Sequence, residues 1–271
     1  NDLTNHLKEK QITLLVGARQ TGKTTLLKQV QDQLTQKGET TVFFNLEDEL
    51  YLNPLNEHPK NLFQFLKLPE SNNKVTVFID EIQYLHNPSN FLKLLYDEYT
   101  PQIKLVVSGS SSFYIDKKFK DSLAGRKQLF ELPTMGFKEF LCFRSYKKYA
   151  DDLHLEYLHN LREKELASLL SEYLTYGGYP QVVLESSIER KKDLLRELAS
   201  SYIKKDVEDA NLRYPELYFN ILKIIAGQTG GLLNLNSICK ALKIEYNTVE
   251  HYLYVMQKSF HIALVRPFYR S

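Results

Sequence analysis

The apolar residues in the first half of the chain fall into five short continuous runs, separated by stretches with helical periodicity. The runs are rich in β-branched and aromatic residues, which is typical of buried strands, and lie at residues 12–16, 41–45, 75–79, 104–108 and 128–132. Helical patterns cover residues 1–10, 61–66 and 91–99. Another helix, which ends at Gly38, is indicated by an apolar stripe of Leu26, Leu27, Val30 and Leu34. Strands that alternate with helices predict an α/β fold with a mostly parallel sheet covered on both faces.

The chain changes character near Gly136, after which helical patterns follow one another. They cover residues 137–143, 153–174 and 188–206, and Gly177-Gly178-Tyr179-Pro180 breaks the chain sharply between the last two. We therefore expect an all-helical second part, residues 136–213, after a sheet-containing first part, residues 1–135.

The third part, residues 214–271, has the outline of a winged helix-turn-helix. Helical patterns at residues 216–226, 237–242 and 247–258 precede residues 260–268, which we expect to form a strand pair or wing. The last of these helices carries an apolar stripe of Val249, Leu253 and Met256. Asn247 and Glu250 resemble a capping box at its start, after a turn at Ile244-Glu245-Tyr246.

The first strand leads into a glycine-rich loop that ends at the next helix. Its residues match the pattern G-x-x-x-x-G-K-[ST] at every fixed position: Gly17, Ala18, Arg19, Gln20, Thr21, Gly22, Lys23 and Thr24. The glycines let consecutive N–H groups turn toward phosphate oxygens, and the helix N-terminus adds about half a positive charge. Lys23 can reach the terminal phosphates, and the Thr24 hydroxyl can ligate magnesium. The loop predicts that the chain binds a nucleoside triphosphate.

Two adjacent carboxylates end the third strand. We expect Asp80 to hold magnesium together with Thr24, and Glu81 to orient and polarise the attacking water. In isolation such a pair is often only a solvated strand end. The phosphate loop earlier in the chain favours a hydrolytic site.

Two further features have both a functional and a structural interpretation. The fourth strand ends in hydroxyls that can contact the γ-phosphate or the attacking water, or can cap a helix: Ser108, Ser110, Ser111 and Ser112. Arg126 can neutralise charge on the transferred phosphoryl group, or it can be an ordinary solvated arginine. If Arg126 acts in the site of a neighbouring copy, the active protein is a homo-oligomer.

The composition is that of a soluble globular protein, but it does not identify a binding partner. The chain has 271 residues, 43% hydrophobic and 25% charged, with a formal net charge of +2. These values are ordinary for a soluble globular protein, and the charge neither favours nor excludes nucleic acid. Cys142 and Cys239 lie far apart, which indicates reduced thiols in a cytoplasmic protein, and no apolar run approaches the roughly 18 residues of a membrane span. Because the chain begins at Asn1 without methionine and ends abruptly at Ser271, we expect a fragment of a longer protein.

Taken in order, these motifs resemble those of the AAA+-type P-loop ATPases, and more narrowly a prokaryotic AAA ATPase family. In this chain, residues 17–25 match the family string G-x-R-Q-x-G-K-T-T, and residues 80–83 match D-E-I-Q. The string S-G-S-S-S is found at residues 108–112, L-x-G-R at 123–126 and Y-x-x-x-G-G-x-P at 173–180. The resemblance adds Thr25 to the loop and implies Mg-dependent ATP hydrolysis. It also implies a five-strand core in which the sensor strand, which ends at Ser108, lies between the strand before the phosphate loop and the Walker B strand, which ends at Asp80. Gly178-Tyr179-Pro180 would then pack near the adenine, from a helical lid.

The chain departs from this family in two respects. Members usually continue into a further carboxy-terminal domain of nuclease-like character, and this chain stops where that domain would begin. The sensor position is Ser108, where threonine is usual, so the hydroxyl is kept. The preference for adenine rests on the resemblance and on the lack of an N-K-x-D motif after the Walker B strand.

Three functions compete for this sequence. The first is ATP hydrolysis that drives a conformational switch, closing the helical lid and repositioning the winged helix. The second is an ATP-sensing DNA-binding regulator. The predicted recognition helix is a poor DNA reader because it lacks Arg and Lys before Lys258, although the phosphate backbone can still be contacted by Lys240, Lys243, Arg266 and Arg270. The third is phosphotransfer, which the acidic pair and the appended helical parts disfavour. We favour the first.

Overall fold

The computed structural model describes residues 2–68, 74–109, 123–152, 160–210 and 212–265. The chain divides into two compact units. The sheet unit comprises Asn1–Gly17, Lys23–Glu131 and Asp206–Ser271, and the helical unit comprises Ala18–Gly22 and Leu132–Lys205. The expected three-part division at residues 135 and 213 stays a prediction.

The sheet unit contains a sheet of five strands: β1 (Ile12–Val16), β2 (Thr40–Asn45), β3 (Val75–Asp80), β4 (Ile103–Gly109) and β5 (Lys127–Glu131). Their order is β2-β3-β4-β1-β5, and every neighbouring pair is parallel. The predicted place of the sensor strand β4, between β1 and β3, is confirmed. Because Leu15 lies opposite Ser108 and Asn45 lies opposite Asp80, the carboxyl ends of β1 to β4 meet at one edge.

Burial explains why the strands appear as continuous apolar runs. Every residue of β1, β3 and β4 is buried, whereas the edge strands β2 and β5 are partly exposed. Inner strands of a parallel sheet need apolar side chains on both faces, so the hydrophobic pattern does not alternate. Alternate residues of the three inner strands, including Leu14, Val77 and Leu105, form one cluster with Phe91 and Leu92.

The sheet unit also contains helices α1 (Asp2–His6), α2 (Lys23–Gln36), α3 (Glu49–Glu57) and α4 (Pro88–Tyr99), with 3₁₀ turns at Pro59–Gln64 and Ile82–Tyr84. Helix α3 was not predicted, because Pro54 interrupts its pattern. It forms because the Asp48 side chain accepts the Leu50 N–H at 2.9 Å and caps its first turn. The helix predicted at residues 61–66 is instead the 3₁₀ turn that begins at Pro59.

Within residues 137–209 the described residues form no strand, and most of them lie in the helices α5 (Phe137–Phe143), α6 (Lys147–Asp152), α7 (Asn160–Tyr176), α8 (Pro180–Leu184), α9 (Ile188–Glu197) and α10 (Ile203–Asp209). Helix α6 was not predicted, and the single helix predicted at 188–206 is interrupted by a π-helical segment, Leu198–Tyr202. Residues 153–159 of the predicted helix 153–174 lie outside the described residues.

The predicted break after α7 is confirmed, and it fixes the segment that enters the helical unit from β5. Gly177 has φ +77° and ends α7. The Gly178 carbonyl accepts the Met135 N–H at 2.8 Å, and the Tyr173 hydroxyl donates to the Met135 carbonyl at 2.9 Å. A Cβ atom on Gly178 would lie 2.1 Å from the Met135 carbonyl oxygen. The main chain of Met135 is therefore held from both sides.

The last helices of the sheet unit are α11 (Pro215–Ala226), α12 (Leu235–Leu242) and α13 (Tyr246–Lys258). A turn at residues 243–245 joins α12 and α13, so Tyr246, which was predicted in the turn, is already helical. The capping box is wrong, because α13 begins after Glu245 and no side chain caps its first turn. Residues up to 265 form no strand after α13, and residues 266–268 lie outside the described part of the chain, so the wing stays a prediction. Phe260 instead packs against the apolar cluster of the sheet.

None of the helices in the described ranges is both long enough and apolar enough to cross a membrane.

Candidate functional site

The glycine-rich loop follows directly on the buried end of β1. Gln20 and Gly22 both have positive φ, at 60° and 96°, so the backbone reverses its curvature twice within a few residues. The buried Thr21 hydroxyl donates to the Ala18 carbonyl at 2.9 Å and holds this turn. Alternation of right- and left-handed residues points successive N–H groups to one side and produces a concavity that suits an anion.

Lys23 and Thr24 start α2, immediately after the loop. The Lys23 side chain is buried, with 4% of its surface exposed, and its ammonium donates to the Gly17 carbonyl at 3.1 Å. An ammonium that is removed from water needs oxygen partners, and a bound phosphate offers several with the opposite charge. Thr25 is exposed and Arg19 half-buried.

Asp80 ends β3 and is the centre of a hydrogen-bonded cluster. Its exposure is only 1%, and its two carboxylate oxygens accept from two hydroxyls. Thr24 Oγ1 donates to Oδ2 at 2.6 Å, and Ser108 Oγ donates to Oδ1. The parallel register supplies this arrangement, because β4 places Ser108 beside β1 and next to the strand that carries Asp80. The structure therefore brings Thr24, Asp80 and Ser108 together at one edge of the sheet.

Glu81 follows Asp80 in a left-handed conformation, with φ 58° and ψ 49°. Its N–H donates to Ser108 Oγ at 3.2 Å, which links it to the Asp80 cluster. Its carboxylate oxygen Oε2 accepts a hydrogen bond from the Gln83 side-chain amide. A left-handed residue that is not glycine costs conformational energy and persists only where the surroundings require it. Gln83 belongs to the D-E-I-Q string, but sequence reasoning gave it no role.

The oxygen donors at this edge fit a magnesium ion. Thr24 Oγ1 and Asp80 Oδ2 are hard ligands that already lie 2.6 Å apart. Among the described residues, no group of three or more His, Cys, Asp or Glu side chains is placed to hold a metal. An ion here would therefore take its remaining ligands from phosphate and water, as Mg²⁺ usually does.

The structure does not bring Arg126 to this edge of its own sheet. Its carbonyl accepts the Ile12 N–H, so Arg126 lies at the start of β1, and the phosphate loop follows the end of β1. The 5 residues of β1, at about 3.3 Å each, separate the two by ~16 Å. Arg126 instead forms a two-point ion pair with Asp97, at 2.7 Å and 3.2 Å. This pair raises the pKa of Arg126 and lowers the pKa of Asp97, in both cases first through their hydrogen bond.

The remaining predicted residues belong to other parts of the chain. Pro180 is the first residue of α8 in the helical unit. Five of them lie outside the described residues: Ser110, Ser111, Ser112, Arg266 and Arg270.

Comparison with known proteins finds family models that match two parts of the chain. Residues 9–141 match the model of a family described as an AAA domain, and residues 167–271 match a domain of unknown function. An uncharacterized protein of Methanocaldococcus jannaschii is 28% identical over 98% of this chain and 59% of its own length. An uncharacterized protein of Haemophilus influenzae is 26% identical over 92% of this chain and 60% of its own length. The chain thus spans about three fifths of these curated relatives.

A solved structure described as a Walker-type ATPase of Pyrococcus abyssi has the same fold. The two structures have a TM-score of 0.59 at 17% sequence identity. The match covers 96% of this chain and 89% of that chain. The matched AAA domain contains the phosphate loop, the Asp80 cluster and Glu81. The matched AAA domain and the shared fold support an AAA+-type P-loop ATPase domain over residues 9–141.

Proposed function

We propose that this protein binds ATP with Mg²⁺ and hydrolyses the bond to the γ-phosphate, and that the reaction drives a conformational switch. The observation that carries the proposal is the cluster at the sheet edge, in which Thr24, Asp80, Ser108 and Glu81 are joined by hydrogen bonds. This cluster follows a loop with the phosphate-binding pattern at every fixed position.

Each residue has a part in the reaction. The loop N–H groups and Lys23 bind the phosphates and neutralise charge that builds on the transferred group. Glu81 accepts a proton from water, whose oxygen bonds to the γ-phosphorus as the bond to the β-phosphate oxygen breaks. The products are ADP and inorganic phosphate. Thr24 and Asp80 would hold Mg²⁺, which shields the phosphate charges when bound.

Two substitutions test binding and hydrolysis separately. Lys23→Ala should weaken ATP binding, measured by calorimetry, by at least ~100-fold, since it removes a charged contact to phosphate. Lys28→Ala, on an exposed position of the same helix, is its control. Glu81→Gln should bind ATP normally and lose at least ~100-fold in kcat, while Glu49→Gln should keep full activity. If Glu81→Gln hydrolyses ATP at the rate of the unaltered protein, Glu81 is not the general base.

We also propose that Arg126 acts in the site of a second copy, because it lies at the opposite edge of its own sheet. A mixing assay tests this. Arg126→Ala keeps an intact phosphate site, and Lys23→Ala keeps an intact arginine, so each alone should be inactive and the mixture active. An inactive mixture, or a fully active Arg126→Ala protein, contradicts action in a second copy.

The alternative of an ATP-sensing DNA-binding regulator gains little from the structure. Helices α12 and α13 with their short turn have the helix-turn-helix outline. The exposed face of α13, however, presents one acid and no strong base: Asn247, Glu250, His251, Tyr254 and Gln257. Duplex binding depends largely on neutralising phosphates, so this face is a poor match. Salt-dependent binding to a labelled duplex, with and without ATP, would revive the alternative.

A further inference from the structure

Gln83 contacts the proposed catalytic carboxylate directly. Its side-chain amide donates to Oε2 of Glu81, and Gln83 itself is buried, with 9% of its surface exposed. Oε1 of Glu81 accepts no hydrogen bond from the described residues. One oxygen of this carboxylate is therefore held by the protein, and the other is left to accept a proton.

The backbone of Glu81 makes this contact possible. Side chains two positions apart do not face each other on a helix. The left-handed conformation of Glu81 turns the chain just before the 3₁₀ turn Ile82–Tyr84, and the two side chains then meet. The Ser108 hydroxyl accepts the Glu81 N–H and fixes the same conformation. Main chain and side chain of Glu81 are thus held by different partners.

Another polar side chain near Glu81 is already used elsewhere. Asn45 lies opposite Asp80 on the neighbouring strand, but its side-chain oxygen accepts the Glu47 N–H at 3.1 Å. The Tyr84 hydroxyl donates to Glu47 at 3.3 Å. Gln83 is therefore the side chain that fixes the Glu81 carboxylate within the part of the chain that the structure describes.

We propose that Gln83 is a positioning residue for Glu81. Its amide limits the carboxylate to one orientation, because the hydrogen bond at Oε2 fixes the direction in which the other oxygen points. A general base works only when it is ionised and aligned with the water that it deprotonates. This inference rests on the proposed ATP hydrolysis and adds a residue to it.

The test compares Gln83→Ala, Gln83→Met and Gln83→Glu with the unaltered protein. Gln83→Met keeps the length of the side chain without the donor, and Gln31→Ala, which removes a half-buried glutamine that donates to Thr41 at 3.3 Å, is the matched control. Both Gln83→Ala and Gln83→Met should lower kcat about 10- to 100-fold, since loss of alignment has this order of effect. The dissociation constant of ATP should stay within about twofold, which also shows that each variant is folded.

Gln83→Glu keeps the size of the side chain but replaces the donor with a carboxylate. It should lower kcat at least as far as Gln83→Met does, again without weakening ATP binding, and a purely structural role would not separate kcat from binding in this way. A kcat for Gln83→Ala or Gln83→Glu equal to or above that of the unaltered protein overturns the proposal. If the unaltered protein hydrolyses no more ATP than Glu81→Gln, the proposed function fails, and the role of Gln83 fails with it.

Discussion

Alanine at position 178 should destabilise the helical unit, because the added methyl group has no room. An ideal Cβ at this position lies 2.1 Å from the Met135 carbonyl oxygen and 3.0 Å from the Met135 carbonyl carbon and nitrogen. These are main-chain atoms, so the connection itself has to shift. Forced shifts of this kind cost about 1–3 kcal/mol. The shift also strains the hydrogen bonds that Gly178 and Tyr173 make to Met135, worth about 1 kcal/mol each. We expect a loss of about 3 kcal/mol in the free energy of unfolding.

Gly177 is a matched control in the next position. It has φ +77°, and no atom lies within 4 Å of its ideal Cβ, so Gly177→Ala meets backbone strain of only about 1–2 kcal/mol. Part of this is offset because alanine restricts the unfolded chain, by about 0.4–1 kcal/mol. Tyr173→Phe, which removes one hydrogen bond, should cost about 1 kcal/mol.

Urea unfolding followed by circular dichroism measures these differences, since the chain contains no tryptophan. Hydrogen exchange of peptides around residues 135 and 178 then assigns the loss to this connection. If Gly178→Ala is no less stable than Gly177→Ala, the close approach of Gly178 to Met135 does not exist in solution.

Three further predictions follow from single contacts. Burial, assisted by the charge of Lys74, lowers the pKa of Lys104 from 10.5 to about 8. The unfolded chain therefore stays protonated at Lys104 up to a higher pH than the native protein does. The free energy of unfolding thus rises with pH between about 8 and 10.5. In urea titrations, the unaltered protein should gain about 2 kcal/mol over Lys104→Met between about pH 7 and pH 10. Asp97→Asn should change the melting temperature by no more than about 2 °C, since its ion pair with Arg126 is half exposed. The same substitution should lower severalfold the activity recovered when Arg126→Ala and Lys23→Ala proteins are mixed. Ser108→Ala should lower kcat about tenfold, and Ser108→Thr, which keeps the hydroxyl, should retain most activity.

The parts of the fold predicted from sequence are those fixed by burial and register. The inner strands are covered on both faces, so their apolar runs are continuous and their position along the chain is clear. The site followed from the same property, because the carboxyl ends of parallel strands meet at one edge. Thr24, Asp80 and Ser108 could therefore be grouped although they are distant in the chain.

The missed features depend on local geometry that no pattern records. Helix α3 contains Pro54 and forms because of its Asp48 cap, and the capping box predicted at Asn247 failed because the helix begins earlier. The contact between Gln83 and Glu81 needs a left-handed residue that is not glycine, and composition gives no sign of it. The position of Arg126 required the register of β5 against β1, which the strand runs alone do not provide.

The phosphate loop and the residues on either side of it are grouped with different units. Residues Ala18–Gly22 group with the helical unit, whereas Gly17 and Lys23 on either side belong to the sheet unit. The loop that is proposed to bind phosphate is therefore joined at both ends to residues of the sheet unit but is itself part of the helical unit. Outside the loop, the chain passes between the units at Leu132 and again after Lys205. The first of these connections leads to Met135, which Gly178 and Tyr173 hold in place. In the proposed switch, nucleotide would therefore bind at a loop that is grouped with the helical unit and is joined at both ends to the sheet unit.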